Sequence, residues 1–313
     1  MTTITTVAAL RSALEPHRRA GRCIGLVPTM GALHEGHLSL VRRARETTDV
    51  VVVSIFVNPA QFAPGEDFST YPHSEAQDAV LAQAAGADLL FVPSAAEVYP
   101  SGFATTVAVA GVTAPLEGEQ RGRSHFDGVT TVVAKLFNMA QPDVAFFGQK
   151  DAQQTVVIRR MVSDLDIPVR LEVCPTVREP DGLARSSRNA RLGPADRGRA
   201  VALRRGLDAA EAAVAAGERD AATVVGAARA AMRAIGVEPE YLDAVSPETL
   251  DPVSQIDRPA LIAIAARLGS TRLIDNTIVN PVDSPSGVPF TAGGPSESRT
   301  DHQVATLRGV NRE

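Results

Sequence analysis

Two histidines at the start of a predicted helix are the residues whose types and spacing point most directly to chemistry. They lie in the segment PTMGALHEGH, which follows a short apolar run that predicts a buried strand. His34 and His37 are three residues apart, so a helix places both imidazoles on one face. Helix amino termini favour anions, because unpaired N–H groups and the helix dipole both point at the ligand. The pair therefore predicts a phosphate site that stabilises charge growing on departing pyrophosphate.

The glycines of this segment do not complete a standard nucleotide-binding motif. Gly31 and Gly36 match half of a P-loop, but His37 stands where that motif requires Lys. A metal site on His34 and His37 would need further ligands, and no partner cluster accompanies them in the sequence. A pair of exposed histidines that only cap the helix is the other interpretation that this segment leaves open.

Polar residues also follow two later predicted strands. The β-branched run VVVVSIFV is typical of a parallel strand covered on both faces, and Asn58 and Gln61 come directly after it. Lys150 and Asp151, within GQKDAQQ, follow another strand. Open α/β sheets bind ligands beyond the carboxyl ends of their strands, so these residues are predicted to share one site with the histidines. A turn at Asn58 and a helix cap at Asp151 are the alternative roles.

Lysine is rare in this chain. Of 31 basic residues only Lys135 and Lys150 are lysines, which a nucleotide bias toward arginine codons explains. Under such a bias Lys150 is favoured as a phosphate ligand, because an ammonium approaches phosphate as a compact charge. Lys135 lies in a predicted helix and is expected to be solvated or salt-bridged.

Strand and helix signals alternate over residues 1–177. This order predicts an α/β fold with a Rossmann-like, doubly wound parallel sheet. Strands are predicted at 24–28, 50–57, 87–93, 104–111, 143–148 and 169–177, and helices at 36–47, 74–85, 129–140 and 151–165.

The composition changes after Val177. Alanine-rich helices continue to Ile235, and the runs YLDAVS, ALIAIAARLG and TRLIDNTIVN then predict short strands. Residues 178–280 are thus expected to form a second, smaller α+β domain that acts as a lid. Residues 281–313 are rich in Pro, Gly and Ser without periodicity, and are predicted to be a disordered tail.

Bulk properties exclude several classes of protein. A formal charge of -5 and a pI near 5.7 argue against nucleic acid as the main partner. No apolar stretch approaches the roughly 20 residues that span a bilayer, and the amino terminus does not resemble a signal peptide. Cys23 and Cys174 are far apart in sequence and suit a reducing compartment. A cytoplasmic protein without membrane or nucleic-acid partners is expected.

Four segments in order carry a family resemblance: PTMGALHEGH, SIFVNPAQF, FFGQKDAQQ and RSSRN. Together they resemble the pantothenate synthetase family, the pantoate–β-alanine ligases of the HIGH-type nucleotidyltransferase superfamily, over roughly residues 20 to 280. The resemblance implies an ATP-dependent ligase that joins pantoate to β-alanine through pantoyl adenylate, releasing AMP and pyrophosphate. It also implies a homodimer and Mg²⁺ accompanying ATP, with the protein ligands of the metal left unassigned.

The resemblance also assigns roles to individual residues. His34, His37 and Lys150 would be catalytic, acting on the ATP phosphates. RSSRN takes the place of a mobile phosphate-binding loop, although a linker between domains would look similar. The residues implied to bind ATP are Met30, Gly31, His34, His37, Gly148, Lys150, Asp151, Val177, Ser186, Ser187 and Arg188. Those implied to bind pantoate or β-alanine are Asn58, Gln61 and Gln154.

The chain departs from the family pattern at three places. Arg185 stands where the family usually has Met, and Gln149 where it usually has Glu. The segment RGRSHF lacks the usual proline, so both Arg121 and Arg123 are candidates for the family arginine, with His125 a lesser one. Two other functions stay open: a nucleotidyltransferase that stops at nucleotide transfer, and a non-catalytic nucleotide-binding module.

Overall fold

A parallel sheet of six strands carries the first half of the chain in the computed structural model, which describes residues 1–62 and 74–281. The strand order β1-β4-β3-β2-β5-β6, with every neighbouring pair parallel, confirms the doubly wound prediction. The strands are β1 Thr2–Ile4, β2 Ile24–Thr29, β3 Val50–Ile55, β4 Leu89–Phe91, β5 Val144–Gly148 and β6 Arg170–Cys174.

Helices connect these strands and continue into the second half of the chain. The predicted helices after β2, after β5 and around residues 74–85 and 129–140 are confirmed. The helices are α1 Val7–Arg19, α2 Glu35–Thr47, α3 Glu75–Ala84, α4 Ala95–Val98, α5 Glu117–Arg121, α6 Arg123–Ala140, α7 Ala152–Asp164, α8 Pro194–Arg199, α9 Ala202–Ala215 and α10 Ala221–Arg233. Short 3₁₀ turns lie at Pro59–Gln61, Gln149–Asp151 and Ser187–Arg191.

Alternate residues of the parallel strands are buried on opposite faces of the sheet. On β3, Val50 and Val52 pack into a core with α1, α6 and α7, whereas Val51 and Val53 pack into another core with α2 and α3. These four side chains are at most 2% exposed. Because no position of the strand faces water, its run of β-branched residues needs no polar alternation.

The predicted strand over 104–111 is wrong. The backbone of Val107 bonds instead to helix α6, where its N–H donates to Thr131 Oγ1 (3.0 Å) and its carbonyl accepts from Thr130 Oγ1 (2.5 Å). The sheet position beside β4 is occupied by β1, a strand that the sequence analysis did not predict. Side-chain hydroxyls of a helix thus satisfy the backbone groups that a neighbouring strand would have bonded.

A second, antiparallel sheet follows in the order β7-β8-β9 and confirms the three predicted strands and the smaller α+β unit. Its strands are β7 Pro239–Val245, β8 Ala260–Leu268 and β9 Thr271–Val279. Apolar residues of α9 and α10, including Leu207 and Met232, pack against β8 residues such as Ile262 and Ile264. The domain limits stay a prediction. Of the expected disordered tail, 281–313, the structure describes only Pro281, which is buried, and the rest lies outside the described residues.

Polar contacts join the two sheets just beyond β5. Gln149 Nε2 donates to Asn276 Oδ1 (2.9 Å), and Asn276 Nδ2 donates to the Lys150 carbonyl (2.9 Å). Arg178 donates two hydrogen bonds to the Asp275 carboxylate, at 2.6 and 3.1 Å. The amides of Gln149 and Asn276 therefore hold strand β9 against the segment that carries Lys150.

Candidate active site

A cavity of about 700 Å³ opens at the carboxyl ends of β2, β3 and β5. From β2 the chain continues to β3 and β4 on one side, and after β4 it crosses to β5 on the other side of β2. Such switch points are where open α/β sheets bind ligands. All the predicted site residues except Gly31 line this cavity. They are Met30, His34, His37, Asn58, Gln61, Gly148, Lys150, Asp151, Gln154, Val177, Ser186, Ser187 and Arg188.

The two histidines cap helix α2 and also line the cavity. His34 Nδ1 accepts the Gly36 N–H (3.2 Å), and His37 Nδ1 accepts the His34 N–H (3.3 Å), while the ring centroids stack 4.1 Å apart. A neutral imidazole that accepts at Nδ1 carries its proton at Nε2. The capping bonds are therefore present, but both histidines are partly buried and line the cavity, so the interpretation of exposed histidines that only cap the helix is wrong. Each ring keeps one N–H to donate to a ligand.

Burial lowers the pKa of both imidazoles. For His37 burial is the largest cause and the neighbouring ring of His34 is the second, and together they lower the pKa of His37 to about 3. For His34 burial acts together with the positive charges of Lys150 and Arg185. Both rings are neutral at pH 7 and act there as hydrogen-bond donors rather than as cations.

A tight turn places the histidines, and Asp78 holds that turn from helix α3. Gly31 and Ala32 both have positive φ, 86° and 50°, a conformation that favours glycine. The Asp78 carboxylate is 2% exposed and accepts the N–H groups of Ala32 (2.8 Å) and Leu33 (2.7 Å). Gly31 is buried here and does not line the cavity, so its predicted contact with nucleotide stays a prediction. Sequence reasoning did not find Asp78.

Asn58 is 1% exposed and uses both ends of its side-chain amide within the protein. Its Nδ2 donates to the Gly128 carbonyl (3.0 Å) and to Gln61 Oε1 (3.2 Å). Its Oδ1 accepts from the Tyr99 hydroxyl (2.7 Å) and from the Ala60 N–H (3.3 Å). The turn role is therefore confirmed, and Asn58 also orients Gln61 on the cavity wall; its contact with pantoate stays a prediction.

Lys150 and Asp151 lie together at the end of β5. Lys150 Nζ is 3.7 Å from Asp151 Oδ1, and the lysine side chain is 16% exposed. Desolvation raises the pKa of Asp151, but the positive charges of Lys150 and Arg188 outweigh it and lower that pKa overall. Asp151 makes no side-chain cap bond to α7, so the helix-cap alternative is wrong. The aspartate stays ionised and free to face a ligand.

The other lysine, Lys135, does not line the cavity. Its ammonium lies 4.5 Å from the centre of the Phe103 ring and 5.9 Å from that of Tyr99. Lys135 is partly exposed, and the aromatic faces also bind its cation, so its expected role as a solvated or salt-bridged lysine stays a prediction.

The RSSRN segment forms one wall of the cavity. Ser186 Oγ accepts the Arg188 N–H (3.3 Å) and so begins the 3₁₀ turn Ser187–Arg191. The Arg185 N–H donates to the Val177 carbonyl (2.9 Å), and Asn189 donates to Glu179 Oε1 (2.9 Å). Hydroxyls and guanidinium groups therefore reach the cavity from a segment fixed at both ends.

Arg121, not Arg123, belongs to the cavity. Arg121 Nη1 lies 3.1 Å from His125 Nε2, and His125 Nδ1 lies 2.8 Å from the Gln61 carbonyl. The Arg123 side chain is 69% exposed and lies 3.8 Å from the Asp127 carboxylate. The geometry favours Arg121 as the counterpart of the family arginine, and that assignment stays a prediction.

Comparison with known proteins identifies the family. A model of the pantoate-beta-alanine ligase family matches residues 2–278. The chain belongs to this family. It is 52% identical over 281 residues to pantothenate synthetase 1 of Bradyrhizobium diazoefficiens, covering 90% of this chain and 99% of the relative. It is 50% identical over 287 residues to pantothenate synthetase of Moorella thermoacetica, covering 90% of this chain and 100% of the relative.

Solved structures of pantoate–β-alanine ligases share the fold. Pantothenate synthetase from Thermus thermophilus superimposes with a TM-score of 0.85 at 49% identity, covering 90% of this chain and 100% of that one. Pantoate-beta-alanine ligase from Francisella tularensis, complexed with beta-gamma ATP and beta-alanine, gives a TM-score of 0.74 at 33% identity. That match covers 89% of this chain and 97% of the other.

Sequence reasoning missed the side of the ligase cavity that the second sheet and helix α5 provide. Arg272 Nη1 donates to Glu117 Oε2 (2.7 Å), and the Tyr241 hydroxyl donates to Glu117 Oε1 (3.0 Å). Gln153 Oε1 accepts the Glu117 N–H (2.9 Å), which fixes α5 against α7. These residues come from distant parts of the chain and form no local motif, so the sequence held no signal for them.

Two further observations bear on cofactor and location. Within residues 1–62 and 74–281, no group of three or more His, Cys, Asp or Glu side chains is arranged to hold a metal ion. None of the helices in the described part of the chain is long and apolar enough to cross a bilayer.

Proposed function

We propose that this cavity condenses pantoate with β-alanine through pantoyl adenylate, at the expense of ATP. Family membership supports the overall reaction, an ATP-dependent ligation of the two substrates. One observation carries the proposal for the site. The carboxyl ends of the adjacent strands β3, β2 and β5 bring together two imidazoles, two amides and one ammonium group, those of His34, His37, Gln61, Gln154 and Lys150. Each set provides chemistry that one part of the reaction requires.

The first step activates the acid. An amine cannot displace oxygen from a carboxylate, so the pantoate carboxylate attacks the α-phosphorus of ATP and pyrophosphate leaves. Neutral Nε2–H donors of His34 and His37, with the Lys150 ammonium, stabilise the charge that grows on the departing phosphates. No covalent bond to the protein is required, because these groups act by position and charge.

The acid substrate is assigned to the part of the cavity that Gln61 and Gln154 line. The Gln61 and Gln154 amides can bind hydroxyl and carboxylate oxygens without pairing a cation with the attacking carboxylate, which keeps it nucleophilic. Apolar side chains, including Phe56, Val129 and Val133, line the same cavity and suit the branched carbon skeleton of pantoate. In the second step the amine of β-alanine attacks the acyl carbon, and AMP leaves.

Mg²⁺ is part of the proposal as the partner of the ATP phosphates. It keeps waters and phosphate oxygens as most of its ligands, so a full protein cage is not required. Asp151 is the residue that fits such an ion, since its carboxylate is ionised and its contact with Lys150 is as long as 3.7 Å. When bound, the ion would neutralise phosphate charge next to the histidine pair.

Pantoate-dependent exchange of pyrophosphate into ATP tests this function. We expect exchange with purified protein, ATP and Mg²⁺ to require pantoate and to be absent with lactate. The reason is that only an acid fitting the amide side of the cavity forms the adenylate. Exchange that ignores pantoate but responds to a phosphate-bearing acceptor would support nucleotide transfer alone, and ATP binding without any exchange would support a non-catalytic module.

The assembly and location implied by the family resemblance belong to the same proposal: a homodimer in the cytoplasm. A mass near twice 32.9 kDa in light scattering is the expected result for the full chain.

A further inference from the structure

Arg185 is a half-buried cation on the cavity wall. Its Nε atom is inaccessible to solvent and has no hydrogen-bond partner. Its Cβ would lie 3.8 Å from a Cβ added at Gly36, so the side chain begins beside the turn that carries the histidine pair. The backbone of Arg185 is fixed by its N–H bond to the Val177 carbonyl (2.9 Å), which sets the direction of the side chain into the cavity.

No carboxylate among the described residues is paired with Arg185. The charge of Arg185 helps to lower the pKa of Glu179. The Glu179 carboxylate, however, already accepts hydrogen bonds from Arg197 (2.7 Å) and from Asn189 (2.9 Å). Arg272, which also lines the cavity, is in contrast paired with Glu117 (2.7 Å). A guanidinium taken out of water without a partner is costly, whereas the same group is strongly stabilised by a multivalent anion.

We propose that Arg185 binds the polyphosphate chain of ATP and makes the site select the triphosphate over AMP. The inference rests on the proposed function, which places ATP in this cavity. Its location supports the assignment, since Arg185 and Lys150 both act on the charge of His34 from the cavity side. A guanidinium fork can contact two phosphate oxygens at once, which an unbranched apolar side chain cannot.

Equilibrium binding of ATP and AMP to the full chain, without pantoate, tests the proposal. We expect R185M to weaken ATP binding by about tenfold to a hundredfold, the size of one charge-assisted hydrogen bond, and AMP binding by less than about twofold. R185K should fall between R185M and the wild type for ATP. R123M removes one arginine that is 69% exposed and outside the cavity, and it should bind both nucleotides as the wild type does.

Thermal unfolding separates a ligand-binding role from a structural one. Removal of a guanidinium whose inaccessible Nε has no partner should leave the melting temperature of R185M without nucleotide at or above that of the wild type. The rise in melting temperature caused by saturating ATP should be smaller in R185M, while the rise caused by AMP should be unchanged. A lower melting temperature together with equal losses for ATP and AMP would overturn the proposal, as would ATP affinity equal to that of R123M.

The test is independent of the reaction. Loss of pantoate-dependent exchange in the wild type would count against the proposed function alone. The ratio of ATP to AMP affinity in R185M tests whether Arg185 binds the polyphosphate chain, whichever acid the protein activates.

Discussion

At the scale of single residues, His37 combines a structural and a chemical task in one ring. Its Nδ1 accepts the backbone N–H of His34, which fixes the tautomer that offers Nε2–H to the cavity. Substitution by Gln keeps a polar side chain but loses the directed ring donor. We expect H37Q to form pantoyl adenylate about a hundredfold more slowly in a single turnover, the cost of losing one preorganised donor.

The same residue makes stability depend on pH. The folded-state pKa of His37 is about 3, well below its usual 6.5, because burial disfavours the charged ring. Between these values the unfolded chain binds more protons than the folded one, so stability is lost as pH falls from about 6.5 toward 3. When the pH falls from 7.5 to 5, we expect His37 to lower the free energy of unfolding by about 2 kcal/mol.

Urea unfolding at the two pH values measures that loss. In H37Q the decrease in unfolding free energy should be smaller by the contribution of His37, whereas H17Q, which changes a histidine outside the cavity, should behave like the wild type. Equal decreases in H37Q and the wild type would contradict the pKa of His37.

At the scale of elements, the turn between β2 and α2 depends on a carboxylate from another helix. Asp78 of α3 accepts two consecutive backbone N–H groups, and the turn holds Ala32 at a positive φ of 50°. We expect D78N to lower the unfolding free energy by about 1–3 kcal/mol, since its amide leaves one N–H without an acceptor. The turnover number should fall about tenfold, as the histidines lose their fixed direction.

Comparison with E75Q gives the control for this prediction. Glu75 is an exposed acid in the first turn of the same helix, so this change removes a charge from α3 without touching the turn. We expect E75Q to match the wild type in both urea unfolding and steady-state kinetics with pantoate. Unchanged turnover in D78N at reduced stability would limit Asp78 to a purely structural role.

The elements also explain which features the sequence could predict. Strands such as Val50–Ile55 can be predicted from their local sequence, because a strand buried on both faces requires an apolar run. The predicted site residues each follow a strand or the junction after β6, so parallel topology alone brings them together. The strand predicted at 104–111 is wrong, because the backbone of this segment bonds to the hydroxyls of Thr130 and Thr131 on a helix. No local sequence pattern reveals such partners.

At the scale of the whole molecule, the two sheets enclose the cavity through a polar bridge. Glu117 of α5 accepts from Arg272 of β9 and from Tyr241 of β7, and its side chain is 11% exposed. Contacts of this kind join residues more than a hundred positions apart, which is why the sequence did not predict them. All three side chains line the cavity, so we expect the bridge to limit the access of water to an adenylate.

Breaking this bridge should therefore cost both stability and product yield. In R272M the Glu117 carboxylate stays buried without its cation, so we expect the unfolding free energy to fall by about 3 kcal/mol. R272M combined with E117Q should recover part of that loss, because the unpaired charge is gone. Water should reach pantoyl adenylate more easily in R272M, so AMP should form in clear excess over pantothenate. Chromatography of both products measures that ratio.

R229M is the control for this prediction, because it breaks an exposed ion pair with Glu238 (3.0 Å) in the same part of the chain. It should change the unfolding free energy by less than about 1 kcal/mol, with AMP and pantothenate still formed one to one. Additive losses in the double variant, or equal yields of AMP and pantothenate in R272M, would contradict a role for the bridge in closing the site.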